Sequence, residues 1–120
     1  MKSKIRVAVV DDHPLLCEGV IHILKSVPDI EVVAKGATAK DAVDIVAGQD
    51  PDVLVLDISI PGGGLNALQT IMEGSPKTKV LMLTVSADES DVLNALRLGA
   101  KGYVLKGVGG PELIQALRAV

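Results

Sequence analysis

Three stretches of the chain are apolar at nearly every position: Ile5-Arg-Val-Ala-Val-Val10, Val53-Leu-Val-Leu-Asp57 and Lys79-Val-Leu-Met-Leu-Thr84. Short runs of this kind, without alternation, read as strands buried on both faces. Ile30-Glu-Val-Val-Ala34 and Gly102-Tyr-Val-Leu105 are shorter or more polar and read as edge strands. Between the strands, apolar residues recur at helical spacing. Leu16, Val20, Ile23, Leu24 and Val27 form one stripe, opened by Pro14 and stopped by Pro28. Thr38-Ala-Lys-Asp41 has the form of a capping box, and Gly74, Gly99 and Pro111 mark further helix ends. The pattern predicts strands at 5–10, 30–34, 53–57, 79–84 and 102–105, and helices at 14–27, 39–48, 65–74, 88–98 and 111–120.

Strict alternation of strand and helix implies an α/β fold, a doubly wound five-stranded parallel sheet. Placing the apolar strands centrally gives the order 2-1-3-4-5. The 120 residues suit one domain, and 48% of them are hydrophobic. The core must be aliphatic, because there is one Tyr and neither Phe nor Trp. A net charge of −3 gives no electrostatic case for nucleic-acid binding by this segment. The single Cys17 excludes an internal disulfide and a cysteine-based zinc site. No signal-peptide pattern opens the chain, and no apolar run approaches the ~20 residues of a membrane span, which suits a cytoplasmic location.

The chemistry gathers at strand ends. Asp57 closes the third strand and the pair Asp11-Asp12 closes the first. In the inferred order these strands are neighbours, so the three carboxylates converge at the topological switch point, where such sheets bind ligands. Carboxylates held together repel unless a cation or proton intervenes. A hard-cation site beside a potentially nucleophilic aspartate follows. Taken singly, an Asp pair after a strand is a common helix entry, Thr84 an ordinary strand end and Lys106 a solvated charge. Asp57 resists so plain an explanation, because a carboxylate ending a buried run is costly.

Together, Asp11-Asp12, Asp57, Thr84 and Lys106 resemble the pattern of response-regulator receiver domains of two-component signalling, across essentially all 120 residues. Asp11-Asp12-His13-Pro14-Leu15 and Gly99-Ala-Lys-Gly-Tyr-Val-Leu-Lys106 are similar to the NarL/FixJ (LuxR-type) subfamily. The resemblance implies a CheY-like fold in which Asp57 accepts a phosphoryl group from a sensor histidine kinase. It implies Mg²⁺ (or Mn²⁺) held by Asp11, Asp12, Asp57 and the backbone carbonyl of Ser59, with Asp11 acting mainly through water. Thr84 and Lys106 would stabilise the phosphoryl oxygens, and Thr84 and Tyr103 would form the switch. It further implies a homodimer on phosphorylation, through helix four, strand five and helix five or through helices one and five. DNA would be reached only through a C-terminal helix-turn-helix domain outside residues 1–120, making the chain a fragment of a longer regulator. Such a domain catalyses its own phosphorylation and dephosphorylation, so the label of enzyme is a matter of definition.

The alternative is a stand-alone receiver serving a phosphorelay or binding a protein. A dehalogenase-type hydrolase would need a second Asp where Ser59 stands. A flavodoxin-like protein would need a hydroxyl-rich loop where the acidic pair stands. Two departures from the family pattern stand out. Gly107 replaces the usual proline after the lysine, which predicts a trans or rearranged loop and a less firmly positioned Lys106. Leu65, not Gly, lies eight residues after the acceptor and Gly64 precedes it, as a one-residue deletion would produce. His13 reads as a loop residue entering the first helix and not as a ligand. His22 reads as a partly buried helix residue, Cys17 as packing with no cation beside it, and Met72 and Met82 as core filler.

Overall fold

The computed structural model describes residues 4–74, 76–85 and 89–120, and the main chain alone at Glu89. The elements alternate as β1 (Ile5–Val10), α1 (Pro14–Lys25), β2 (Ile30–Gly36), α2 (Ala39–Gln49), β3 (Val53–Asp57), α3 (Gly64–Glu73), β4 (Lys79–Thr84), α4 (Glu89–Leu98), β5 (Gly102–Leu105) and α5 (Gly110–Ala119). The five strands are parallel, in the order β2-β1-β3-β4-β5.

The central strands lack sequence alternation because each face has its own helical cover. Val7, Val9, Val53, Val55, Leu81, Leu83 and Val104 pack toward Cys17, Val20, Ile21 and Leu24 of α1 and Leu113, Ile114 and Leu117 of α5. The alternate residues Ala8, Val10, Leu54, Leu56, Val80 and Met82 pack toward Ala42 of α2, Ala67, Leu68 and Ile71 of α3, and Ala95 of α4. Each fully buried Leu or Val side chain contributes about 1.5–3 kcal/mol of transfer free energy. That burial holds the strand ends, and the carboxylates on them, in fixed register.

Boundaries shift where local chemistry outweighs periodicity. β2 continues to Gly36 because Lys35 and Gly36 pair with Val9 and Val10 after a register shift at Val7/Ala8. α1 ends at Lys25, where the Ser26 N–H and hydroxyl both donate to the Ile23 carbonyl. The capping box forms as expected: Thr38 Oγ1 accepts from Asp41 N–H, and Asp41 Oδ2 accepts from the N–H groups of Ala37 and Thr38. Those bonds, the one from Ala37 foremost, hold the Asp41 carboxyl below its ordinary value. A depressed folded-state value means that the unfolded chain binds the proton more tightly. Asp41's contribution is therefore present above the ordinary carboxylate range, about 4, and is lost as pH falls through the lower folded value. Thr38→Ala should cost about 1 kcal/mol in urea denaturation at neutral pH. Asp41→Asn should flatten the fall in stability below about pH 4.

Candidate functional site

Strand register builds the site. Val10 pairs with Leu56, which sets Asp11 beside Asp57 one step beyond the paired residues. Asp57 pairs with Leu83, and Thr84 pairs with Leu105, so the ends of β4 and β5 complete the same edge. Asp11, Asp57 and Thr84 are all buried, with Asp57 at 0% exposure. The Asp12 side chain is 31% exposed at the rim. Neither acidic residue is the N-cap of α1, so the plain helix-entry reading fails; His13 holds that position.

Lys106 reaches into the cluster. Its Nζ lies 3.0 Å from Asp57 Oδ2 and 3.2 Å from Asp11 Oδ2, and its side chain is only 7% exposed. Its own N–H donates to the Thr84 carbonyl at 2.6 Å. The following residue does not loosen it. Gly107 is reached through a trans peptide and takes a φ of 93°. Proline, fixed near −65°, would not fit there. Positive φ at Gly107 turns the chain away while Lys106 stays anchored at both ends. The expectation of a trans loop therefore holds, and that of a poorly positioned lysine does not.

Ser59 closes Asp57 from the other side. Its N–H donates to Asp57 Oδ1 at 3.2 Å, and its hydroxyl lies 3.2 and 3.3 Å from the two carboxylate oxygens. These bonds use the serine side chain and amide, contacts that the expected backbone-carbonyl role did not foresee. The shifted glycine also has a place. Gly64 N–H donates to the Ile58 carbonyl, and a Cβ on Gly64 would lie 2.5 Å from the Asp57 carbonyl oxygen and 2.6 Å from Ile58 Cα. A glycine is required against the acceptor's own backbone, and here it falls at position 64.

His13 departs from its reading as a bystander. It does enter α1, with extended φ −98° and ψ 105°, as expected before a proline. Its ring, however, turns into the cluster. Nδ1 lies 3.1 Å from Asp11 Oδ1, 3.2 Å from Asp12 Oδ1, 3.9 Å from Asp57 Oδ2 and 3.4 Å from Lys106 Nζ. Its backbone N–H also donates to Asp11 Oδ1 at 2.8 Å. Pro14 was the available signal, since it pins the backbone of the residue before it. Tyr103 lies on β5 in register with Met82, 44% exposed. In the loop from Val85 into α4, Ser86, Ala87 and Asp88 lie outside the described residues.

Cys17 sits beneath the acidic pair, 6% exposed. Burial, and secondarily the Asp11 charge, push its thiol up. Lys35 pulls the other way more weakly, so a cation does lie nearby, contrary to expectation. The native thiol should react with Ellman's reagent at least about tenfold more slowly than in urea, because the thiolate is the reacting form.

The donor set fits a divalent cation. One ligand atom each from Asp11, Asp12, His13 and Asp57 lies within 4.8 Å of the others. Among the described residues, Asp11 Oδ2 and Asp12 Oδ1 are buried without a hydrogen-bond partner. Their nearest charged neighbours are Lys106 Nζ and His13 Nδ1, each at 3.2 Å, which leaves oxygen lone pairs for a cation to use. The arrangement can bind a hard cation and present a carboxylate oxygen to an electrophile beside a fixed positive charge.

A doubly wound parallel sheet with this edge defines a receiver-type domain. The chain belongs to the response regulator receiver domain family, which it matches over residues 7–118. It is 40% identical to the transcriptional regulatory protein DegU of Brevibacillus brevis over 99% of its own length and 51% of that protein. It is 36% identical to the nitrate/nitrite response regulator protein NarL of Escherichia coli K12, over 92% of this chain and 52% of that one. The chain thus spans about half the length of the curated relatives it matches. Its fold superposes on a LuxR-family response regulator from Aurantimonas with a TM-score of 0.91 and 35% identity, covering 98% of this chain and 84% of that one. The response regulator domain of Thermotoga maritima CheB gives 0.90 and 31%, covering 97% and 95%. These relatives place the chain among receivers of the NarL/LuxR type. No helix among the described residues is long and apolar enough to cross a membrane.

Proposed function

We propose that this domain is a phosphorylation switch in which Asp57 accepts a phosphoryl group from the phosphohistidine of a sensor kinase. The observation that carries the reading is the fully buried Asp57 carboxylate, paired with Lys106 at 3.0 Å beside Asp11 and Asp12. A carboxylate oxygen of Asp57 attacks phosphorus as the P–N bond breaks, and the departing imidazole nitrogen keeps the bond's electron pair. Phosphoryl transfer depends mainly on positioning and charge stabilisation. Ser59 and Lys106 fix the Asp57 carboxylate, and Lys106 offers its charge to the phosphoryl oxygens. Thr84, buried at the end of β4, would supply a hydroxyl to the same group. Hydrolysis later returns Asp57, with water supplying the oxygen of inorganic phosphate.

Receiver domains bind Mg²⁺ at an acidic pocket, and here Asp11, Asp12 and Asp57 would hold Mg²⁺ or Mn²⁺, with the Ser59 carbonyl as a further oxygen ligand. The ion, when bound, neutralises charge between acceptor and phosphoryl group. Acetyl phosphate with Mg²⁺ should add one phosphoryl group by intact mass, and EDTA should prevent it. Asp12→Ala should lose both the labelling and the rise in melting temperature that Mg²⁺ gives. In EDTA the same variant should be as stable as the unsubstituted chain or up to about 1 kcal/mol more so, since it relieves carboxylate repulsion at a partly exposed site. Labelling that persists in EDTA would overturn the cation's role.

The output would run from Thr84 to α4 and β5, where Leu93, Leu96, Tyr103 and Leu105 are exposed. We favour this surface, with α5, for homodimerisation on phosphorylation. The alternative is the apolar hollow of about 570 Å³ between α1 and α5, lined by Ile23, Val27 and Ile114 among others. Relatives named as a transcriptional regulatory protein and a response regulator support control of transcription. The DNA contact would fall to a helix-turn-helix domain outside residues 1–120.

A further inference from the structure

We infer that His13 is a ligand of the pocket cation, and that it tilts the site from Mg²⁺ toward divalent transition ions that accept an imidazole nitrogen. The inference rests on the proposed cation site and adds to its four oxygen donors a fifth protein donor of different chemistry. Three observations carry it. His13 Nδ1 faces all three carboxylates, at 3.1, 3.2 and 3.9 Å. Donors bonded at about 2.1 Å to one ion lie about 3.0 Å apart when adjacent in an octahedron and about 3.4 Å apart in a tetrahedron. The two short separations from His13 therefore already match the edges of a coordination sphere. Asp11 Oδ2, on a side chain that is 0% exposed, is aimed at the same space, 3.2 Å from Lys106 Nζ, and makes no hydrogen bond among the described residues.

Donor chemistry decides which ion gains. Mg²⁺ takes oxygen ligands in a strict octahedron and keeps several waters, so an imidazole adds little for it. Zn²⁺, Ni²⁺ and Co²⁺ bind imidazole readily, and affinity at a given nitrogen–oxygen site rises from Mn²⁺ toward Ni²⁺. The ring would have to present the Nδ1 lone pair, with its proton on Nε2. Without an ion, Nδ1 can meet Asp11 Oδ1 at 3.1 Å only by donating a proton, so a bound cation would take the place of that proton. The backbone, extended before Pro14 and tied through its N–H to Asp11, holds the residue beside the pocket. The rival explanation is a strut: an N–H on the same ring atom that only neutralises the carboxylates. A strut would compete with every cation alike.

Calorimetric titration of the untagged chain with MgCl₂ and with NiCl₂ separates the two. The second histidine, His22 on α1, is removed in all samples by His22→Gln, so that it cannot supply nitrogen. Adding His13→Gln should lower Ni²⁺ affinity at least about tenfold and leave Mg²⁺ affinity within about threefold, which is the selectivity an imidazole ligand confers. With Mn²⁺ bound, electron spin-echo spectra should show nitrogen coupling that vanishes in the double variant. Equal changes for both ions, or absence of nitrogen coupling in the His13-containing chain, would overturn the inference. If Ni²⁺ binds and the Mn²⁺ spectra show nitrogen coupling while Mg²⁺ fails to bind, His13 stands as a ligand and the proposed Mg²⁺ chemistry falls.

Discussion

Asp57→Asn should abolish phosphorylation by acetyl phosphate, with a fall of at least about a hundredfold in the rate of labelling. The amide removes the nucleophilic oxygen and keeps the shape. No neighbour should take over. Asp11 Oδ1 already accepts the backbone N–H of His13, and Asp12 lies at the rim, 31% exposed, in no ion pair with Lys106 among the described residues. Stability should change little, which makes the test clean. Breaking a buried ion pair commonly costs about 3–5 kcal/mol because a charge is stranded. Here Lys106 keeps Asp11 as a partner at 3.2 Å, and removal of one of two buried carboxylates relieves repulsion. Intact mass after acetyl phosphate treatment, with a melting curve on the same sample, reads both effects. Stoichiometric labelling of Asp57→Asn would move the acceptor elsewhere.

Gly64→Ala is expected to be the most damaging single-methyl change in the molecule. Its Cβ would meet the main chain of Asp57 and Ile58 at 2.5–2.8 Å, where no side chain can rotate aside. Overpacking a close-fitted site costs about 1–3 kcal/mol, and a backbone contact belongs at the top of that range or beyond. The acceptor's peptide must shift to relieve it, so labelling should slow as well. Gly48→Ala in the last turn of α2 is the contrast: nothing lies within 4 Å of its Cβ, and the Ala should stabilise by less than the ~1 kcal/mol of a helix interior. Urea titration of both variants tests the pair. A Gly64→Ala chain as stable as the Gly48→Ala chain would refute the close-approach account.

The strand order and the convergence of Asp11, Asp12 and Asp57 were legible because both follow from burial, whereas Lys106 joined them only through the resemblance to receivers. Runs such as Val53–Leu56 can only be central, and two central neighbours place their terminal carboxylates together. The sequence was less informative wherever a single dihedral decided the outcome. The spacing of His13 shows a residue entering a helix but not the ring rotation that turns Nδ1 toward three carboxylates. Gly107 suggested slack, yet Lys106 is fastened by its backbone to Thr84 and by its ammonium to two aspartates. The deletion read from Gly64 and Leu65 was visible as spacing. What the glycine touches became visible only with the backbone in place.

The aliphatic core leaves the molecule almost dark in the near ultraviolet. Tyr103 is the only tyrosine, with no Trp beside it, and it stands on the edge strand β5 half open to solvent. Its emission is therefore a local lamp. Unfolding moves it from one wet setting to another and should scarcely change its brightness, so circular dichroism of the backbone is the better gauge of folding. Anything that covers the β5 edge should change that emission at once. The chain thus carries a built-in optical reporter of one surface, without any label attached.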